Sequence, residues 1–229
     1  MQDTCIKSFH QRTCDDVVSA DKMMVHVRGP VWHRKQQAQG IIPKGLHGLD
    51  TDGRWSYSKS GGWVYGHGTF CLVTCHHRML GAFKWMRNSG HEAKRLWMEM
   101  GKLKGLITTV LMDSKADDQA LFREFQRQRR MLLLTTPRKG ADKSPTRQQM
   151  VKVLKQQKNR KLYKQRSYTV EPMQGLLKDI FELERCWMRG NANNRWLFAA
   201  MGVTVQMHQY WAWQEGRSPW AIKAEVLGR

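Results

Sequence analysis

The sequence predicts an α/β fold: a mixed five-stranded sheet flanked by helices, with a C-terminal helical extension. Three observations predict it. Segments rich in β-branched and aromatic residues lie at 17–27 and 55–85, strand and helix patterns then alternate up to residue 137, and helical patterns follow. A run of strands joined by turns is typical of antiparallel pairing, whereas strand and helix alternation is typical of parallel crossovers, so the two together indicate a mixed sheet.

The first half of the chain contains the antiparallel part of the predicted sheet. The segment 17–27 alternates loosely and predicts a strand with Asp21 in its middle or at its end. The basic segment 27–48 is interrupted by Gly and Pro without periodicity, which predicts a long loop. The aromatic segment 55–85, with its Gly-Gly turn signal, predicts two or three antiparallel strands.

The second half alternates and then becomes helical. An apolar run at 106–113 predicts a buried strand that ends at Asp113, and the run at 131–137 predicts another strand. Helical spacing is found at 91–102, at 117–129 after an Asp cap, at 146–158, from about 171 to 185 and from about 194 to 215.

The composition favours a nucleic-acid partner. The 229 residues are 41% hydrophobic and 25% charged, which is ordinary for a folded protein, but the formal net charge is +20. Such an excess of cations attracts polyanions, and a basic RNA-binding or ribosome-associated protein would share it. No apolar run reaches the roughly 18 residues of a membrane-spanning helix or forms a signal peptide, so we expect no membrane partner and a cytoplasmic location.

The cysteines do not indicate a zinc site. Their number is five and no CxxC pair occurs, which fits a reducing compartment. Cys71 and Cys75 would share one face of a strand, but no second pair completes a tetrahedral site. A core or surface role is therefore favoured for both.

Three acidic residues form a candidate metal site. Asp21 and Asp113 lie on separate predicted strands, so they can share a metal if those strands are neighbours, and Glu171 at the start of a later helix can complete the site. Mg²⁺ prefers such hard oxygen ligands, and two ions about 3.5 to 4 Å apart support phosphodiester cleavage. Each Asp alone would more often be a surface acid, and Asp50 or Asp52 could replace Asp21.

Four residues resemble the signature of a known family. Tyr163, Arg166, Glu171 and Lys178 resemble the Tyr-Arg-Glu-Lys signature of one group of Asp-Asp-Glu (DDE) insertion-sequence transposases, and the resemblance extends over 17–229. Three segments carry it further: SADKMMVHVRGPVWHRK, LDTDGRWSYSKSGGWVYGHG and VLMDSKADD.

The resemblance implies a fold and an activity. The expected fold is RNase H-like, as in retroviral integrases, and the implied activity is metal-dependent DNA strand cleavage followed by strand transfer. Asp21, Asp113 and Glu171 would be catalytic and would bind Mg²⁺ or Mn²⁺ as a pair of ions. The implied partner is double-stranded DNA, both transposon ends and target, bound by a homo-oligomer in the nucleoid of a bacterium or archaeon.

A basic run precedes the third acid and predicts a path for DNA. The segment 152–166 contains seven Lys or Arg and no acid, although a solvated helix face would have the same composition. Its candidate DNA-binding residues are Lys158, Arg160, Lys161 and Lys164. The resemblance implies that Tyr163 and Arg166 hold flanking phosphates and that Lys178 reaches a phosphate near the cut. Glu171 and Lys178 are seven residues apart, so a helix places them on one side.

The signature departs from the family pattern at two places. Four residues separate Arg166 from Glu171, where the family has three. Because Pro172 suits a first helical turn, we expect the helix to begin at about Glu171 and Arg166 to lie on an extended segment. Lys115 and Ala116 replace the usual Gly-Tyr after the second acid.

The N-terminal part of the chain is expected to differ from the relatives. Asp21 lies only 20 residues from Met1, so we expect a tail over 1–14, an RNase H-like catalytic domain over 15–190 and a helical extension over 191–229, without the preceding DNA-end-binding region. A truncated, non-catalytic DNA-binding remnant is thus an alternative function. In the basic loop, Trp32 and His33 could face the site or simply anchor the loop.

Overall fold

The computed structural model describes residues 2–58, 61–138 and 144–228 and contains a six-stranded mixed sheet between two layers of helices. The strands are β1 (Val17–His26), β2 (Arg54–Ser58), β3 (Gly62–Thr74), β4 (Leu80–Met86), β5 (Thr109–Leu111) and β6 (Leu132–Leu134). The helices are α1 (Gln2–Thr13), α2 (Arg34–Gln39), α3 (Glu92–Lys102), α4 (Gln119–Glu124), α5 (Pro145–Lys155), α6 (Gln157–Lys164), α7 (Arg166–Phe181), α8 (Asn191–Gln214) and α9 (Lys223–Val226).

The sheet has an antiparallel half and a parallel half. β1 pairs antiparallel with β3 and parallel with β5, and β6 continues the parallel half beyond β5. β3 pairs with β2 along its first residues and with β4 further on. The predicted mixed sheet flanked by helices is confirmed, with six strands instead of five, because the 13-residue β3 is long enough to pair with two successive strands.

Both faces of the sheet are covered by helices, and alternate side chains of the strands pack into the two resulting hydrophobic clusters. Val18 and Ala20 of β1 pack into one hydrophobic cluster with residues of α3 and α4, whereas Met23 and Val25 pack into another with α7 and α8. Strand geometry produces this division, since successive side chains point to opposite faces. Asp21 shares the parity of Met23 and therefore lies on the α7 side.

The N-terminal segment differs from the expected tail. Ile6 and Phe9 of α1 are buried, and the Phe9 ring packs edge-on against Trp213 of α8. The Gln2 side-chain amide donates to the backbone oxygens of Phe83 and Ala199. Only two apolar residues at helical spacing signalled this packing, which is too few for a sequence prediction.

The helix that carries the third acid begins earlier than expected. α7 starts at Arg166 and contains Pro172 in its interior, so the expected extended segment before Glu171 is wrong. An internal proline removes one backbone hydrogen bond at a cost of about 3 kcal/mol. The burial of Val170 and Met173 on either side of it offsets that cost, since both side chains are fully enclosed.

The expected long loop and the expected helix at 146–158 also contain more structure than their patterns indicated. The loop after β1 includes the short helix α2, and α5 ends at Lys155 before α6 begins. Of the helices in the described ranges, only α8 has the length to span a bilayer, and its side chains are too polar to do so.

Candidate active site

Asp21 and Asp113 meet just beyond the point where the parallel pairing of β1 and β5 ends. Ser19 of β1 lies opposite Leu111, the last residue of β5. Asp21 follows two residues later inside β1, where it still pairs with Cys71 of β3, and Asp113 follows two residues beyond the end of β5, so the two acids lie side by side. The Asp113 carboxylate accepts a hydrogen bond from the Lys115 backbone N–H at 2.9 Å and caps a short 3₁₀ turn. This local bond orients the carboxylate beside the strand ends.

A third carboxylate completes this cluster, and the sequence analysis missed it. Carboxylate oxygens of Asp21, Glu92 and Asp113 all lie within 4.8 Å of one another. Glu92 is the first residue of α3 and is only 5% exposed. Its Oε2 atom is buried without a hydrogen-bond partner in the described residues. An acid in the first turn of a helix usually offsets the helix dipole, so its position alone did not distinguish Glu92.

The electrostatics of the cluster favour a bound cation. Burial, together with the negative charges of Asp113 and Glu92, raises the pKa of Asp21 to about 6, against the opposing hydrogen bond from the Lys22 N–H and the charge of Arg166. Two lysines partly neutralise the cluster: the Glu92 Oε1 atom lies 2.9 Å from the Lys115 Nζ and 3.6 Å from the Lys22 Nζ. Three convergent carboxylates and one free buried oxygen fit a hard divalent ion such as Mg²⁺ or Mn²⁺.

The structure places Glu171 beside the cluster and not within it. Its side chain is half exposed, and Oε1 accepts a hydrogen bond from Arg166 Nη2 at 2.9 Å. The other terminal nitrogen of Arg166, Nη1, lies 3.5 Å from Asp21 Oδ2. Arg166 therefore links Glu171 to the cluster. Lys178, seven residues after Glu171 on the continuous α7, lies on the same side of that helix.

The predicted basic residues line the helix that leads into this site. The candidate side chains of Lys158, Arg160, Lys161 and Lys164 all lie on α6 and are exposed. Tyr163 is half-buried against Leu111 and Leu134, and its hydroxyl lies 3.4 Å from the Thr136 hydroxyl. The α6 cations are thus free to contact a ligand, whereas Tyr163 mainly packs against the sheet.

Asp50 and Asp52 are not part of the acidic cluster. The buried Asp50 carboxylate lies 2.9 Å from His67 Nε2 and accepts a hydrogen bond from the Gly190 N–H. Asp52 accepts one from the Asn191 N–H, so both acids anchor the start of α8. Trp85 Nε1 donates to His67 Nδ1, which places the His67 proton on Nε2 and makes this nitrogen the donor to Asp50.

The remaining candidate residues lie outside the acidic cluster. Trp32 is 8% exposed, packs against Val27 and Tyr65, and its indole N–H donates to the Ile41 oxygen, so it anchors the loop. His33 is exposed just before α2. Both Cys71 and Cys75 are buried free thiols, and burial raises the pKa of Cys75 to about 12, which disfavours a thiolate ligand.

Comparisons with known proteins agree with this architecture. The family model of the transposase DDE domain matches residues 9–204. The piggyBac transposase, in its synaptic complex with hairpin DNA, shares the fold with a TM-score of 0.54 at 8% identity, over 93% of this chain and 51% of that one. This chain therefore spans about half the length of the piggyBac chain.

Two structures of the Mos1 mariner transposase also match, with lower similarity. The paired-end complex with Mn gives a TM-score of 0.30 at 11% identity over 90% of this chain and 60% of that one. The pre-cleavage transpososome gives 0.30 at 10% identity over 100% and 62%. No curated protein matches the chain significantly. Because the family model matches most of this chain, the chain belongs to the transposase DDE domain family.

Proposed function

We propose that this chain cleaves a DNA strand in a reaction that depends on divalent metal ions and then joins the freed 3′-hydroxyl to target DNA. The convergence of Asp21, Glu92 and Asp113 beside the point where β1 and β5 stop pairing carries the proposal. Membership of the transposase DDE domain family supports it. The proposed substrate is double-stranded DNA, and the joining of two transposon ends implies a homo-oligomer that works in the nucleoid.

The carboxylates would hold the ions and position them. Asp21, Asp113 and Glu92 provide oxygen ligands from three different elements, which fixes their spacing. A pair of Mg²⁺ or Mn²⁺ ions would polarise the phosphate and lower the pKa of the attacking water. We propose Glu171 as the remaining catalytic acid, which becomes available when Arg166 exchanges it for a DNA phosphate.

Basic side chains would hold the DNA on either side of the cut. Arg166 presents the planar guanidinium that suits a bidentate grip on phosphate. Lys178, on the Glu171 side of α7, would reach a second phosphate, and Tyr163 would contribute its hydroxyl at the edge of the sheet. The exposed cations of α6 would follow the strand away from the site.

Glu171→Gln and Glu92→Gln are expected to separate the two glutamates. Glu171→Gln should lower the rate of plasmid nicking in Mn²⁺ by roughly 10²-fold, because a transition-state ligand is lost. It should leave the Mn²⁺-induced rise in melting temperature intact, since Glu171 lies outside the cluster. Glu92→Gln should reduce both the nicking rate and the Mn²⁺-induced rise in melting temperature, because the Glu92 carboxylate belongs to the cluster even when no DNA is bound.

Glu184→Gln is the matched control for this experiment. Glu184 is an exposed acid, and within the described residues it belongs to no acidic cluster. It should behave as wild type in both measurements. If Glu171→Gln nicks DNA as fast as wild type, the catalytic assignment of Glu171 is wrong. If wild type binds DNA and never nicks it in Mg²⁺ or Mn²⁺, the chain is a DNA-binding remnant.

The α6 cations are expected to set the salt dependence of DNA binding. The double variant Arg160→Gln, Lys164→Gln removes two charges one helical turn apart. The fall of log K with log salt should become less steep, by up to about 0.9 for each phosphate that is no longer neutralised. Fluorescence anisotropy with a labelled duplex measures this slope. Lys94→Gln, Lys104→Gln removes two exposed cations in and just after α3, across the sheet, and should leave the slope unchanged.

A further inference from the structure

We propose that a cavity beside the acidic cluster binds an unpaired nucleotide of the DNA; this inference rests on the proposed function, since it takes DNA as the substrate. The cavity lies between the loop after β1 and the start of β2 and has a volume of about 670 Å³. Its lining includes Trp32, Trp55, Arg34, Arg54, Gln37 and Ser89. This volume lies within the range of small-molecule sites, which is roughly 300 to 1,000 Å³.

The lining matches the chemistry of a nucleotide. The Trp55 indole N–H donates to the Trp32 backbone oxygen at 2.9 Å. Trp55 is only partly buried, so its ring offers an apolar surface for base stacking, while the buried Trp32 supports it from below. Arg34 and Arg54 provide positive charge for a phosphate, and no Asp or Glu occurs among the described lining residues. The Arg34 guanidinium lies over the Trp63 ring, 4.2 Å from its centroid, which restricts the position of this lining residue.

One buried asparagine connects this cavity to the acidic cluster. The Asn88 side-chain amide donates to the Arg54 oxygen at 2.9 Å, and the Asn88 backbone oxygen accepts from Lys22 Nζ at 2.7 Å. Lys22 is the neighbour of Asp21 in β1. Ser89 lines the cavity only three residues before Glu92, a span of at most about 11 Å. A nucleotide in the cavity would therefore lie within a few nucleotides of the phosphate at the metal centre.

The shape of the cavity favours an unpaired base over a duplex. In a duplex each base is covered by its stacked neighbours, so its flat faces are not available to tryptophan rings. A base that is single-stranded or turned out of the helix can enter a concave aromatic site. We therefore expect this chain to prefer DNA that carries a short single-stranded stretch next to the duplex.

The test compares two labelled DNAs in EDTA, a blunt duplex and the same duplex with a three-nucleotide single-stranded tail. Wild type should bind the tailed DNA about tenfold more tightly. The preference should disappear in Trp55→Leu and shrink in Arg34→Ala, which removes an exposed side chain and leaves the core intact. Arg12→Ala is the control, since it also removes an exposed arginine stacked on an aromatic ring, that of Tyr210, but far from the cavity.

Photo-cross-linking locates the base directly. A 5-iodouracil in the tail should cross-link to the peptide that contains Trp55, and a 5-iodouracil inside the duplex should not. Equal binding of tailed and blunt DNA by wild type, or a tail cross-link that maps outside the cavity, overturns the proposal. Metal-dependent nicking is measured separately: its absence with the tail preference intact contradicts the proposed catalysis alone, and its presence without a tail preference contradicts the cavity alone.

Discussion

Asp113→Asn is expected to lower the rate of metal-dependent DNA nicking by on the order of 10³-fold, because a metal site supplies several kcal/mol of transition-state stabilisation. The amide keeps the size of the side chain and can still accept the hydrogen bond from the Lys115 N–H, so the local turn should survive. What it loses is the negative charge beside Asp21, and divalent ions bind neutral amide oxygens more weakly than carboxylates.

Nicking of supercoiled plasmid in Mg²⁺ and in Mn²⁺ measures this effect. Asp118→Asn is the matched control, since Asp118 lies five residues further on, is exposed, and caps α4 by accepting from the Ala120 and Leu121 N–H groups. Asn caps helices as well as Asp does, so this variant should keep both stability and activity. If Asp113→Asn nicks the plasmid at the wild-type rate, Asp113 has no part in the mechanism.

Asp50→Ala is expected to lower the free energy of unfolding by about 3 to 5 kcal/mol. The substitution leaves the His67 Nε2–H and the Gly190 N–H buried without an acceptor, and each orphaned donor costs about 1 to 3 kcal/mol. Because these groups belong to β3 and to the residue before α8, the loss should affect global unfolding. Urea denaturation monitored by circular dichroism gives the number.

An exposed acid provides the control for this measurement. Asp179→Ala breaks a surface ion pair with Lys223 and should cost less than about 1 kcal/mol. An equal effect of the two substitutions would contradict the anchoring role of Asp50.

The contribution of Asp50 should also depend on pH. Burial alone would raise the pKa of this carboxyl, but the hydrogen bonds from His67 and from the Gly190 and Asp52 N–H groups hold its pKa below the ordinary value. A carboxyl with a lowered pKa stabilises the fold above its unfolded pKa of about 3.9, and this stability is lost as the pH falls through the folded pKa. Asp50→Ala should therefore show a smaller loss of stability than wild type as the pH falls from about 4 to the folded pKa.

The pairing of Asp21 with Asp113 could be predicted because it depends on local patterns. Asp21 lies within one recognisable strand and Asp113 directly follows another, and crossover helices indicate that such strands run parallel. The α6 cations were equally visible, since a run without acids needs no tertiary information. By contrast, Glu92 and the packing of α1 had no comparable signal in the sequence.

The start of α7 shows why local rules were insufficient. The preference of Pro172 for a first turn is a local effect of a few kcal/mol. Each buried side chain of α7 contributes an amount of similar size, and several of them along the helix together outweigh that preference. Because α7 begins at Arg166, this arginine sits within reach of both Asp21 and Glu171.

By itself, the sequence determined the mixed α/β architecture, the strongly basic character and two of the three clustered acids, because hydrophobic periodicity, charge and strand order are properties of short segments. The tertiary structure alone decided that Glu92 joins those acids, that Glu171 pairs with Arg166, and that two tryptophans form a cavity next to them. These arrangements bring together residues from separate elements, and only packing of the whole sheet and its helices sets their distances.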